Sequence, residues 1–325
     1  MASNDIFSIK SAREFEYCAL ETFRYQIQNC DVYSDFVSNL NYKVGLIKTC
    51  NQIPFLPIEF FKTHPVVSEN TTPEIVFTSS GTTGSLQSKH PVTDIKIYKE
   101  SFQKGLKFFY GDIKNYAVLA LLPSYQEREG SSLIYMVDEL ISQSTIAESG
   151  YFLYNYAELA ETLKHLKETK THTLLIGVTH ALLDFAESHT IEFPELIVME
   201  TGGMKGKRRE MIREELHEIL CEGFGVPLIH SEYGMTELLS QAYSKGAGKF
   251  NCPPWMKIMI RDTNDPLNLL EPGKTGGINV IDLANINSCS FIATQDLGRL
   301  YADESFEILG RFDNSDIRGC NLLVD

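Results

Sequence analysis

Between residues 10 and 40, apolar side chains recur at steps of three and four (Phe15, Cys18, Ala19, Phe23, Ile27), a spacing that predicts helix with one buried face. Residues 53–58, Ile-Pro-Phe-Leu-Pro-Ile, break that rhythm. A residue that precedes proline is pushed out of helical geometry, so this stretch reads as an extended segment pinned against the core. Helical spacing returns over 94–109 and is followed by an unbroken apolar run over 116–122, the mark of a buried strand. From there the two periods alternate. Helices are expected over 132–141, 157–167 (with Leu159, Leu163 and Leu166 on one face), 181–188 and 208–221, the last closed by Gly223. Strands are expected over 173–178, 196–199 and 226–230. Such alternation predicts an α/β fold of mostly parallel sheets with covering helices. Past residue 250 the runs shorten to 258–261, 277–282 and 289–292, separated by Pro, Gly and Asn turns, which predicts a small β-rich subdomain. The domain reading is therefore an α/β core over 1–250, a β-rich subdomain over 251–309 and a remainder over 310–325.

Charge narrows the function classes. With 29 basic and 43 acidic residues the net charge is −14, which disfavours nucleic acid and anionic membrane surfaces as partners. No window has the length and apolarity of a membrane span, and residues 1–20 are too polar for a signal peptide. The seven cysteines are odd in number and contain no Cys-x-x-Cys pair, as expected of reduced thiols in a cytoplasmic protein. The eight histidines lack ligand spacing, so no structural zinc is expected.

The candidate chemistry lies where apolar runs end. After Ile75-Val76-Phe77 comes Ser79-Ser80-Gly81-Thr82-Thr83-Gly84, a cluster of hydroxyls and small residues. Its backbone N–H groups can wrap a polyphosphate, and its glycines permit close approach to an anion. The plainer reading is a flexible polar turn. It is not a Walker A loop, since no Gly-Lys-Ser/Thr follows. After 196–199 stands Glu200-Thr201-Gly202-Gly203, whose paired glycines can lie flat against a planar ligand, followed by Lys205, Lys207, Arg208 and Arg209. Cations at a helix N-terminus oppose its dipole, a conflict that a bound anion offsets; a solvated basic turn explains them equally well. After 226–230 comes Ser231-Glu232-Tyr233-Gly234-Met235-Thr236-Glu237. Here Tyr can stack on a base, Thr can donate to a phosphate and a carboxylate can hold Mg²⁺, while the alternative is a helix start capped by Ser231 or Thr236. Asp296-Leu297-Gly298-Arg299 and Gly310-Arg311-Phe312-Asp313 complete the series, with Asp296 expected at a strand end where it can accept from a ribose diol.

In this order the motifs resemble those of the acyl-adenylating superfamily of acyl-CoA synthetases, peptide-synthetase adenylation domains and luciferases. Ser79 to Gly84 is similar to its phosphate loop, Tyr233 to Glu237 to its Tyr-Gly-x-Thr-Glu motif, Asp296 to Arg299 to its ribose motif and 310–319 to its hinge. Residues 53–62 and Leu122-Pro123-Ser124-Tyr125 with the run from Gly130 to Met136 look closest to acyl-protein synthetases of the LuxE type, with phenylacetate-CoA ligases next.

The resemblance implies a ligase that joins a carboxylic acid to AMP and passes the acyl group to a protein or carrier thiol. Its runners-up are a CoA ligase and a non-catalytic nucleotide- or acyl-binding subunit. It further implies ATP and Mg²⁺ as cofactors, with CoA or a carrier's phosphopantetheine as the thiol. Ser79, Ser80, Gly81, Thr82, Thr83 and Gly84 would hold the β/γ-phosphates, and Gly202, Gly203 and Tyr233 the adenine. Thr236 would meet the α-phosphate, Glu237 the Mg²⁺, and Asp296 the ribose, with Arg311 at the hinge. Tyr125, Ser131, Ser132, His230 and Met235 are the pocket-lining candidates and suit a fatty or an aryl acid alike. Two departures stand out. Leu86-Gln87 replaces the family's Pro-Lys, with Lys89 two residues late, and the lid domain that carries a catalytic lysine is expected to be absent after 310–325. Lys89 and the Lys205/Lys207/Arg208 cluster are the in-chain substitutes for that cation; a carrier protein or a second copy of the chain, as in a homodimer, is the external one. Cys320, beside the hinge, reads either as a small buried residue or as an acyl acceptor in cis.

Overall fold

The structure, a computed structural model, describes residues 6–69, 71–79, 86–123, 130–202 and 211–312. It divides into two units: one contains residues 76–87 and 95–250, the other 1–75, 88–94 and 251–325.

The first unit is built on a parallel sheet. Ala117–Leu121, Thr173–Val178, Ile197–Thr201 and His230–Tyr233 lie side by side in that order, all parallel. Gly150–Tyr151 adds in parallel beyond Ala117–Leu121, and Ala242–Ser244 runs antiparallel to His230–Tyr233. Every residue of Ala117–Leu121 and Thr173–Val178 is buried, which is why these segments read as continuous apolar runs instead of alternating ones. The helices Ile95–Tyr110, Ser132–Gln143, Tyr156–Glu168, Thr179–Ser188 and Arg213–Phe224 follow the expected alternation. Leu159, Leu163 and Leu166 are buried as their spacing requires. Tyr98 and Phe102 pack edge-on at 5.1 Å, and Phe77 meets Tyr98 at 5.3 Å. The expected α/β architecture with a parallel core is the one observed.

In the second unit, Met256–Arg261, Thr275–Asp282, Phe291–Leu300 and Phe306–Arg311 form an antiparallel array. Leu56–Pro57 pairs in parallel with Phe291–Leu300, and the Ile58 N–H donates to the Ala293 carbonyl at 3.0 Å, so the proline-bounded stretch is extended and pinned as its sequence requires. Phe23, Tyr33 and Phe55 gather around Phe291 with ring centroids 5.9–6.3 Å away. Gln26 donates to the carbonyls of Asn285 (2.9 Å) and Ile286 (3.0 Å) and accepts from the Ser290 N–H, tying the N-terminal helix to the turn before Phe291–Leu300.

Five features differ from expectation. The helical pattern over 10–40 is two helices, Ala12–Asn29 and Asp31–Asn39, because Cys30 is extended (φ −125°, ψ 96°). The helix expected over 208–221 is Arg213–Phe224, and Gly225, not Gly223, closes it at φ +60°. There the Val226 N–H returns to the Cys221 carbonyl at 3.1 Å, so Val226 caps a helix and the following strand starts only at His230. The strand expected over 289–292 runs from Phe291 to Leu300, which places Asp296 within a strand and not at its end. Lastly, Tyr233 closes its strand and Met235 to Leu238 forms a turn, so no capped helix follows and neither Ser231 nor Thr236 is an N-cap.

Gly223 has a different task, close helix packing. A Cβ there would lie 2.5 Å from the Ala186 Cβ and 3.0 Å from its Cα, on the helix Thr179–Ser188. Phe185 and Phe224 stack beside this contact at 5.3 Å. Gly223→Ala is therefore expected to force the two helices apart and to destabilise the protein by about 1–3 kcal/mol, despite alanine's better helix propensity. Urea unfolding measures this, and a stabilised variant would refute the packing argument.

Candidate nucleotide and acyl site

The carboxyl edge of the parallel sheet is where open α/β folds take ligands, and Glu200 organises it here. Glu200 is buried, on the strand that ends at Thr201, so the loop expected from residue 200 begins at Gly202, with φ +77°. Thr179 Oγ1 donates to its Oε2 at 3.0 Å and Ser231 Oγ to its Oε1 at 2.9 Å. His217 Nε2 stands 3.6 Å from Oε1. Burial alone would raise the Glu200 pKa, but His217, the nearby Arg213 charge and Ser231 together bring it below the ordinary carboxylate value. The carboxylate is thus held ionised, and it joins two parallel strands to the start of the helix Thr179–Ser188 and to the helix Arg213–Phe224.

Next to it, Glu232 pairs in register with Thr201, whose hydroxyl donates to Oε2 at 2.6 Å. Desolvation pushes Glu232 up to about 7, helped by the charge on Glu200. The strand leads directly to the sequence motif. Tyr233 is buried, edge-on to Phe250 at 6.1 Å, and Arg213 lies over the far ring at 5.3 Å. Glu237 is 6% exposed, Thr236 and Met235 are half-buried, and the Leu238 N–H donates to the Met235 carbonyl at 3.1 Å.

His230 opens the same strand. Its Nδ1 is 3.2 Å from the Tyr110 hydroxyl, and burial, then the Lys245 charge, lower it to about 4. It is neutral near pH 7 and acts as a hydrogen-bonding group. Ser131 caps the helix Ser132–Gln143, its Oγ accepting from the Ile134 N–H at 3.4 Å, and the Ser132 carbonyl accepts from the Tyr98 hydroxyl at 2.9 Å. The Thr78 N–H donates to the Gly130 carbonyl at 2.8 Å, so Ser79 leaves the strand Ile75–Thr78 beside that helix start.

In the other unit Asp296 is buried in register with Arg311, whose Nε lies 3.2 Å from Oδ1. The strand is irregular between Leu297 and Gly298, and a Cβ on Gly298 would lie 2.5 Å from the Glu307 carbonyl oxygen, which accounts for the glycine in Asp-Leu-Gly-Arg. Thr294 Oγ1 accepts from the Asp296 N–H at 3.1 Å. Lys89 is exposed at the start of the strand Lys89–Val92. Ser80, Gly81, Thr82, Thr83, Gly84, Tyr125, Gly203, Lys205, Lys207, Arg208, Arg209 and Cys320 lie outside the described residues.

The sequence profile described as "Acyl-protein synthetase, LuxE" matches residues 10–325. The chain belongs to this acyl-protein synthetase family. No curated protein matches it in sequence. In fold it is similar to ATP-bound MatB from Rhodopseudomonas palustris, at 17% identity over 75% of this chain and 49% of that one, with a TM-score of 0.55. It is also similar to 2-hydroxyisobutyryl-CoA ligase, solved in the postadenylation state with 2-HIB-AMP, at 12% identity over 93% of this chain and 68% of that one (TM-score 0.69). An open form of that ligase with 2-HIB-AMP and CoA matches at 11% identity over 94% and 72% (TM-score 0.66). The chain spans about half the length of the MatB chain. At such identities the likeness establishes the fold, and family membership stands on the sequence profile. Among the described residues of this acyl-protein synthetase family member, no helix is long and apolar enough to cross a membrane.

Sequence reading passed over Glu232 and His217. Glu232 carried one signal, a charged residue directly before the Tyr-Gly pair; His217 carried none beyond its place on an amphipathic helix. The Glu200 hub makes a pH prediction. Its folded-state pKa lies below the ordinary 4.5, so its stabilisation is complete above 4.5 and is lost as pH falls through the depressed value. The stability difference between wild type and Glu200→Gln is therefore expected to hold level above about pH 5 and to shrink in acid. Urea titrations across that range read it directly; a difference that stays constant into acid contradicts the assignment.

Proposed function

We propose that this chain activates a carboxylic acid with Mg-ATP and delivers the acyl group to a thiol on a protein or carrier. The observation that carries the reading is the turn from Tyr233 to Glu237, which leaves the carboxyl end of a parallel strand whose neighbour ends at Thr201, directly before Gly202. Membership of the acyl-protein synthetase family supports it, as do the nucleotide and acyl-adenylate held by the structurally similar MatB and 2-hydroxyisobutyryl-CoA ligase.

In this reading Gly202, Gly203 and Tyr233 hold the base, Asp296 the ribose with Arg311 beside it, and Ser79 to Gly84 the outer phosphates. Thr236 donates to the α-phosphate. A carboxylate oxygen of the acid bonds to the α-phosphorus as the bond to the β-phosphate's bridging oxygen breaks, and pyrophosphate leaves. The acceptor's sulfur then attacks the acyl carbon, AMP departs and the thiol proton passes to solvent. The residues fit Mg²⁺: Glu237 offers buried carboxylate oxygens of the hard kind that Mg²⁺ takes together with phosphates. Bound there, the ion would neutralise charge that develops on the departing pyrophosphate. Lys89 is the in-chain cation assigned to the two reacting anions. His230, neutral at pH 7, and Met235, Ser131, Ser132 and Tyr125 are the residues assigned to the acid.

Calorimetry tests the site. Mg²⁺-dependent ATP binding is expected to weaken tenfold or more in Glu237→Ala, equivalent to about 1.4 kcal/mol, and to weaken in Thr82→Val. Binding that survives both changes unaltered moves the site elsewhere. Pyrophosphate release across a panel of fatty and aryl acids, with CoA or a carrier protein as acceptor, separates a protein-directed synthetase from a CoA ligase.

A further inference from the structure

Glu232 lies between the two backbone segments assigned to the base. Across the sheet, one carboxyl oxygen accepts from Thr201, the residue before Gly202. The other is folded back along its own chain: a Cβ on Gly234, the residue after Tyr233, would lie 2.3 Å from Oε1. Gln241 closes the other side, its Cγ 3.3 Å from the same point. A side chain at 234 would displace this carboxyl, the flexible end of Glu232. The residue before Tyr233 therefore bonds across the strands to Thr201, the residue before Gly202, while its second oxygen lies close to Gly234.

We propose that Glu232 is a positioning residue of the nucleotide site, a tie that holds Thr201-Gly202 and Tyr233-Gly234 as one base-facing edge. The inference rests on the nucleotide reading above. Among the described residues, the titratable groups around it are Glu200 on the strand of Thr201 and Tyr243 on the opposite neighbouring strand, in register with Glu232. Neither brings a positive charge. Desolvation and Glu200 raise Glu232 to about 7, and among the described residues the Thr201 hydroxyl pulls the other way. Below that pH the tie is an uncharged acid. Above it an anion forms next to Glu200, is repelled, and loosens the edge, so nucleotide affinity falls as pH rises through 7.

Calorimetric Mg-ATP titrations of wild type, Glu232→Gln and Thr201→Val at pH 6 and pH 8 decide the matter. Glutamine keeps an acceptor for Thr201 and does not ionise. The wild-type Kd divided by the variant Kd is expected to rise about tenfold between the two pH values, a ratio in which the nucleotide's own titration cancels. Thr201→Val removes the donor that lowers the Glu232 pKa. It is expected to weaken binding and, in a finer pH series, to move the midpoint upward. A half-buried glutamate that merely supports the fold shifts neither the ratio nor the midpoint. If all three proteins bind Mg-ATP with a constant ratio and an unmoved midpoint, Glu232 is not the tie and the nucleotide site stands. If none binds at any pH, the nucleotide reading itself fails and takes this proposal with it. Should Glu232→Gln not fold, the Thr201→Val midpoint carries the test alone.

Discussion

A carboxylate taken out of water has to be solvated by the protein, and the carboxyl edge of this sheet is arranged around that requirement. Glu200 receives Thr179 and Ser231 hydroxyls and faces His217. Each donor comes from a different element, so satisfying one carboxylate aligns two parallel strands and two helices. Leaving buried donors of this kind unsatisfied costs about 1–3 kcal/mol apiece, which makes the hub hard to vary piecemeal. Ser231 is two residues before Tyr233, and Gly202 is two residues after Glu200. The geometry of both candidate base-facing segments is thus inherited from a group that need not touch a ligand.

Two neighbouring glutamates on adjacent strands end in opposite states. Glu200 has three partners that favour its charge, and Glu232 has a single hydroxyl, with burial and Glu200 itself opposing ionisation. The same residue type, one strand apart, supplies a fixed anion and an acid that titrates near neutrality.

Much of the fold was legible because parallel strands and amphipathic helices write their burial directly into the sequence. Thr173–Val178 was readable to the residue, and Leu159, Leu163 and Leu166 marked the buried face of Tyr156–Glu168. Where local sequence offers two equivalent choices, tertiary contacts decide. Gly223 and Gly225 are both plausible helix stops, and it is Ala186 on a neighbouring helix that assigns one to packing and the other to the cap. Asp296 was read at a strand end because the apolar pattern lapses after Ile292, whereas pairing with two flanking strands carries the strand on to Leu300. The motif residues themselves were legible by type and order. What could not be read was Glu232, whose meaning depends on the register that sets it opposite Thr201.

The chain path has a consequence for how the protein is made. One unit is nearly continuous, residues 76–87 with 95–250, and is inserted into the other, whose parts come from both sides of it. Gln26 finds its partner Ser290 only 264 residues later. At ribosomal speeds of about 5–20 residues per second, that is a wait of roughly 13–53 s. Throughout it the helix Ala12–Asn29 carries Phe23 and Gln26 without Phe291, Asn285 and Ser290, the residues they meet in the folded protein. The inserted unit has all of its strands by Phe250, well before its host is complete. Nascent chains are therefore exposed to chaperones and to mispairing for that interval at the helix Ala12–Asn29.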